Sequence, residues 1–161
     1  MFAAVAEPRL PNKLSNKLAK PSLLRECRSM HPAAQERYGK LAVAFDAIGS
    51  TMNFPRNGEI YGEGEAMRSF YRVVSGAVRT YKLLGDGRRQ ISGFHLPGDI
   101  FGLGTGAKYQ FSAEAVTAAS VIAVDRSTLA KLAARDSELA NELWALTAEE
   151  LDHLRGLMTT L

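Results

Sequence analysis

The chain has 161 residues, 46% of them hydrophobic and 23% charged, enough for one domain with a real core or one domain plus extra helices. It has no run of 18 apolar residues and no signal-peptide pattern at its start, so we expect no membrane partner and a cytoplasmic location. Its single cysteine, Cys27, excludes an internal disulfide framework, and also a cysteine-ligated iron–sulfur cluster within one chain, which needs about four thiolates. The net charge of +3 is unevenly placed. Residues 1–40 hold eight Lys/Arg against three Glu, and the remainder twelve against fourteen Asp/Glu. A DNA-reading domain concentrates basic charge on folded elements. Here the excess falls in a Pro- and Lys-containing N-terminal segment that reads as a solvated tail.

In chain order, residues 1–22 contain three prolines and no sustained period, and read as an arm with at most one helical turn. Ser22 to Gly39 can hold a short helix with Cys27 on one face, broken at His31-Pro32. Cys27 is either a redox-reactive thiol, its thiolate favoured by Arg25 and Arg28, or a passive cysteine in an amphipathic segment. Leu41 to Ile48 is an apolar stretch that suits a helix or an entry strand. From Met52 to about Asp125, runs of four to seven residues are separated by turn signals, among them Asn57-Gly58, Ser75-Gly76, Gly85-Asp86-Gly87 and Pro97-Gly98-Asp99. Short strands at such spacing predict an all-β sandwich or barrel. Helical texture returns with Ser127 to Arg135, then with a longer helix that Asp136 or Ser137 can cap and that runs to Leu161.

That last helix carries two apolar stripes. Leu139, Leu143 and Leu146 are placed to pack back on the β structure. Trp144, Thr147, Leu151, Leu154, Met158 and Leu161 follow alternating spacings of three and four, as in the seam of a two-stranded coiled coil. Two stripes ask for two partners, so a homodimer is expected.

Three stretches carry a family likeness: Gly58–Glu65 (GEIYGEGE), Phe70–Leu103 (FYRVVSGAVRTYKLLGDGRRQISGFHLPGDIFGL) and Phe111–Leu129 (FSAEAVTAASVIAVDRSTL). Over roughly residues 50–161 the chain resembles the sensory half of Crp/Fnr-type transcription regulators, most narrowly the FixK group. The resemblance implies a mainly β fold with helices: a double-stranded β-helix (a jelly roll of the cyclic-nucleotide-binding kind), then a short helix and a long dimerisation helix. The division expected is residues 1–49 as an arm with short helices, 50–126 as the β-roll sensory domain, and 127–161 as the two helices. It implies a homodimeric activator of genes for low-oxygen metabolism or nitrogen fixation. DNA would be bound through a helix-turn-helix domain that this chain lacks, since nothing after Leu161 can enter a major groove. A natural headless form that sequesters full-length partners is a further reading.

Cyclic-nucleotide-binding relatives use an arginine against the cyclic phosphate, and Phe111 stands at that position here. The effector pocket is therefore expected to be degenerate, formed by Gly98, Asp99, Phe101, Gly102, Leu103, Phe111, Ser112 and Ala113, with Phe111 filling it and no cofactor bound. The loss of one charged hydrogen bond to phosphate weakens binding by about one to two decades or more. The alternative is a stand-alone small-molecule module of the cyclic-nucleotide type, in which Glu114 or Ser112 compensates for the arginine. In activators of this family the loop equivalent to Gly85–Gln90 contacts RNA polymerase, which makes Asp86, Arg88 and Arg89 candidates for that contact. A solvated turn explains the same charges. No catalytic or metal-binding set is visible. His31, His95 and His153 lie in unlike contexts, and Gly98-x-x-x-Gly102-x-Gly104-x-Gly106 lacks the Lys-Ser/Thr of a phosphate loop. His95 reads as a hydrogen-bonded structural histidine, and no enzymatic activity is expected.

Overall fold

The structure, a computed structural model, describes residues 38–159, the side chains of residues 157 and 158 excepted. Cys27, His31 and Leu161 lie outside the described residues, as does the side chain of Met158. The chain runs α1 (Gly39–Ile48), β1 (Ser50–Phe54), β2 (Glu59–Tyr61), β3 (Ser69–Ser75), β4 (Val78–Leu83), β5 (Arg89–His95), β6 (Ile100–Phe101), β7 (Ser112–Ala115), β8 (Ala119–Asp125), α2 (Arg126–Ala133) and α3 (Ser137–Thr159). The strands form two four-stranded sheets in the orders β1-β8-β3-β6 and β2-β7-β4-β5. Every pairing is antiparallel. The chain changes sheet after most strands, and so builds the two-sheet β structure that the turn spacing predicts.

Small and β-branched apolar residues bring the strands together. Val73 of β3, Val78 of β4, and Val121 and Val124 of β8 are almost wholly buried, as are Ala113 and Ala115 of β7, and all six belong to one shared core. The Ser75-Gly76 corner needs glycine. Gly76 has a positive φ of 78°, and a Cβ there would collide with the Ala118 carbonyl of the neighbouring chain segment.

The apolar stretch before the roll is a helix, and it is not part of an arm. Leu41, Ala44 and Phe45 of α1, at helical spacing, are buried in the same core as the strands. The boundary drawn at residue 49 therefore comes too late, because the helix before it helps to close the roll. The N-terminus of α1 lacks a side-chain cap of its own. Glu142 of α3 supplies one from 101 residues away, accepting from the Leu41 N–H at 2.8 Å and the Lys40 N–H at 3.3 Å.

The two later helices are capped by aspartates. Asp125 accepts from the Thr128 N–H at 2.9 Å to start α2. Asp136 accepts from the Glu138 and Leu139 N–H groups at 3.1 and 3.2 Å to start α3. Leu129 and Leu139 are buried, and Leu143 and Leu146 pack against the core, as expected for the inward stripe of α3. No helix among the described residues is long and apolar enough to cross a membrane.

Candidate functional site

The inner face of the β2-β7-β4-β5 sheet and the flank of α3 enclose a cavity of about 270 Å³. The roll contributes an aromatic wall and the helix a mixed one. Tyr61 and Tyr109 stack with ring centroids 3.8 Å apart, and Phe101 stacks on both Tyr71 and His95 at 5.3 and 5.1 Å. Burial raises the phenol pKa of Tyr61 and of Tyr109 well above the ordinary range, so both rings are neutral walls. From α3 come Thr147, Glu150, Leu151, Leu154 and Arg155.

A polar strip crosses this wall. The Ser92 hydroxyl donates to the Thr80 hydroxyl at 2.7 Å, and Thr80 Oγ1 lies 3.3 Å from His95 Nε2. His153 of α3 donates from Nε2 to the Ser92 carbonyl at 2.9 Å and so ties the long helix to β5. Burial, and then the nearby His153, lower the pKa of His95 to about 4. It is a neutral imidazole at any ordinary pH, in keeping with a structural histidine. The three histidines are thus not all in unlike contexts, since His95 lines the cavity and His153, bonded to the neighbouring Ser92, is close enough to lower its pKa. Their shared position was hidden because 58 residues separate them in sequence.

Of the residues expected to form the degenerate pocket, Phe101, Gly102, Leu103 and Phe111 do line the cavity. Gly102 has a φ of 78°, and a Cβ there would press on the Tyr71 ring at 3.1 Å. The other four do not line it. Gly98 and Asp99 shape the corner between β5 and β6, where the Gly98 N–H donates to the Val73 carbonyl and Asp99 accepts from the Leu96 N–H. Ser112 accepts from the Glu63 N–H at 2.9 Å, and Ala113 is core. Phe111 does not fill the cavity as expected. It is half-buried on the wall, with Lys82 Nζ 5.9 Å from its ring centre, and the space beside it stays open.

Glu114 is on the opposite face of the sheet, and so cannot compensate for a missing arginine in the cavity. It is only 5% exposed and accepts from Arg79 Nε at 2.6 Å and from Arg89 Nη1 at 2.6 Å. Arg89 also lies over the Tyr81 ring at 4.5 Å. This ion cluster holds one face of Arg89, whose side chain stays 47% exposed beside the hairpin tip. Asp86 and Arg88 remain there and pair with each other at 2.6 Å, the Arg88 hydrogen bonds lowering the Asp86 pKa.

The outer stripe of α3 needs a similar correction. Trp144 is 75% exposed, but Thr147, Leu151 and Leu154 border the cavity. At about 100° per residue these three fall between Trp144 and the core-facing Leu143, on the flank where the roll leaves a gap. The Thr147 hydroxyl is already spent on the Leu143 carbonyl at 2.8 Å. Sequence reasoning missed Glu150, Arg155, Thr80 and Ser92 altogether. Among the described residues no cluster of His, Cys, Asp and Glu could hold a metal ion.

The family model described as "Cyclic nucleotide-binding domain" matches residues 51–136, more than half of the chain. The chain belongs to the cyclic nucleotide-binding domain family. Within it, the likeness is to FixK-type regulators of the Crp/Fnr group. The nitrogen fixation regulation protein FixK of Azorhizobium caulinodans is 47% identical over 133 residues, covering 75% of this chain and 54% of that protein. The solved structure of FixK2 from Bradyrhizobium japonicum matches with a TM-score of 0.65 and 50% identity, over 69% of this chain and 56% of that one. The catabolite activator protein of Thermus thermophilus matches with a TM-score of 0.64 at 25% identity, over 81% and 61%. The chain therefore spans about half the length of the curated FixK relatives it matches. In this cyclic nucleotide-binding domain, the cavity between roll and α3 is walled by neutral rings, with a phenylalanine where the resemblance places a phosphate-binding arginine.

Proposed function

We propose that this chain is the sensory and dimerisation part of a FixK-like transcription activator, cytoplasmic and without catalytic activity. The carrying observation is its 47% identity to a FixK protein over 75% of this chain. The exposed Trp144 supports the dimer. A tryptophan at 75% exposure on a helix face asks for a cover, and the apolar flank beside it continues through Leu151. Pairing two copies along α3 would hold two DNA-reading heads at a set spacing, about one helical turn of DNA apart. Those heads would lie in a helix-turn-helix domain outside these 161 residues. Asp86, Arg88 and the half-exposed Arg89 at the hairpin are the candidates for a contact with RNA polymerase.

The test joins this chain at Leu161 to the remaining C-terminal part of the Azorhizobium FixK relative. Fluorescence anisotropy on a labelled palindromic duplex should show specific binding by the fusion and only weak, salt-sensitive binding by the chain alone. Sequence-selective binding by the chain alone would overturn the reading. Sedimentation should show a dimer, and Trp144→Glu should weaken it by about tenfold or more. The second reading, a stand-alone cyclic-nucleotide module, is less well supported. Arg79 and Arg89 are committed to Glu114 on the far face of the sheet, Arg72 is paired with Asp46, and Arg155, which does line the cavity, is mostly exposed and turned to Asp152.

A further inference from the structure

The cavity presents one acidic group to its interior, and among the described residues that group meets the charge of His153 but no hydrogen-bond donor. Glu150 projects from α3 toward the roll, and its carboxyl makes no hydrogen bond or ion pair among the described residues. The cationic group beside it, Arg155, is mostly exposed and turned to Asp152 at 3.7 Å. The roll's side of the cavity includes the Tyr61, Phe101 and Tyr109 rings. Ring faces attract cations, most strongly where water is excluded. A carboxylate facing an aromatic wall repels phosphates and carboxylates, and recognises a flat positive group that donates hydrogen bonds. A cavity of roughly 150 Å³ admits a single benzene ring, so the space here admits one or two fused rings.

We propose that this cavity is a binding site for a small aromatic amine or amidine, held between the Glu150 carboxylate and the Tyr61–Phe101–Tyr109 wall. The ligand would touch roll and long helix at once. Its occupancy would therefore stiffen the junction that His153 and Ser92 already make. The proposal rests on the sensory reading only in treating the cavity as an effector site. It is independent of whether the chain dimerises or which DNA its relatives read.

The pH dependence has a definite sign. Burial raises the Glu150 pKa, opposed by His153. The titratable and charged groups facing it are His153 and Arg155 on its own helix, and His95, Tyr61 and Tyr109 from the roll. As pH falls through the raised Glu150 value the carboxylate is neutralised, and amidine binding should weaken.

Titration calorimetry on the full chain with benzamidine and tryptamine, against benzoate and cyclic AMP, tests the proposal. Benzamidine or tryptamine should bind with a Kd in the millimolar range or tighter. Neither anion should bind as well. Glu150→Gln should weaken the amine or amidine by about tenfold or more. If that variant unfolds, the weakening of wild-type binding on acidification replaces it as the readout. No binding by either cation, tighter binding of benzoate or cyclic AMP, or affinity unchanged in both Glu150→Gln and acid would each overturn the proposal. Sedimentation and the DNA-binding fusion would be unaffected by such a failure, so the two readings fall separately.

Discussion

Glu114 and Glu150 are both carboxyls taken largely out of water, and they stand on opposite sides of one sheet. Glu114 is enclosed by two arginines, one of which lies against a tyrosine ring. Glu150 faces open space and rings, and burial raises its pKa. The first is what a protein does with a buried charge when the charge is structural, since partners offset the cost of desolvation. The second is a charge left unsatisfied by the fold. The difference separates architecture from a surface held ready for something else.

The sharpest way to break this contrast is to remove the paired carboxyl. Glu114→Ala leaves Arg79 and Arg89 crowded without compensation and should cost about 3 kcal/mol, read from urea unfolding. A loss below about 1 kcal/mol would mean that the cluster is ornamental.

His95 sharpens the comparison from inside the cavity. Its pKa is about 4 in the folded chain against an ordinary 6.5, so the unfolded chain binds more protons between those values. Stability is fully present above about pH 6.5 and is lost as pH falls toward 4, by roughly 2–3 kcal/mol. His95→Gln should flatten that slope. The separate loss that Glu150 causes, as pH rises above the ordinary carboxyl range, stays in place. Unfolding midpoints at pH 7.5 and pH 4.5 for both chains measure it.

Removing the unpaired carboxyl should act in the opposite direction to removing the paired one. Glu150→Leu is expected to raise stability at neutral pH by about 1 kcal/mol, because a desolvated charge is exchanged for apolar contact. Thermal melts would show a gain, and a clear loss would mean that Glu150 has a partner that stabilises it. Smallest of all, Asp86→Ala should leave the urea midpoint unchanged, since its pairing with Arg88 is exposed to solvent.

The roll was legible because its information is local. Gly76, the Gly85-Asp86-Gly87 turn and the Pro97-Gly98-Asp99 corner mark strand ends through backbone chemistry that only a few residues supply. The α3 cap at Asp136 and the inward leucines were legible for the same reason. What escaped was set by register. A bulge between Thr80 and Tyr81 lets Ser92 and His95 share the inner face with Thr80, and no pattern in β5 alone announces that. Arg89 read as a surface charge because its carboxylate partner is 25 residues away on β7. A signal was available, because a glutamate between small residues in Ser112–Ala115 is hard to bury without basic neighbours. Glu150 falls on the inward stripe of α3, between the directions of Leu139 and Leu143, so helical spacing already turned it toward the roll and only its charge made it read as solvated. The gap left by the roll is what gives that inward position open space and not packed side chains.

The carboxylate of Glu142 on the first amides of α1 has a consequence for motion. If α3 were to turn about its axis or slide along the roll, Lys40 and Leu41 would lose their acceptor, and the first turn of α1 would begin to fray. Phe45 and Leu41, seated in the core on that same short helix, would feel the loosening. The first and last of the described helices are thus geared together, so that a shift at one is registered at the other without passing through the sheets.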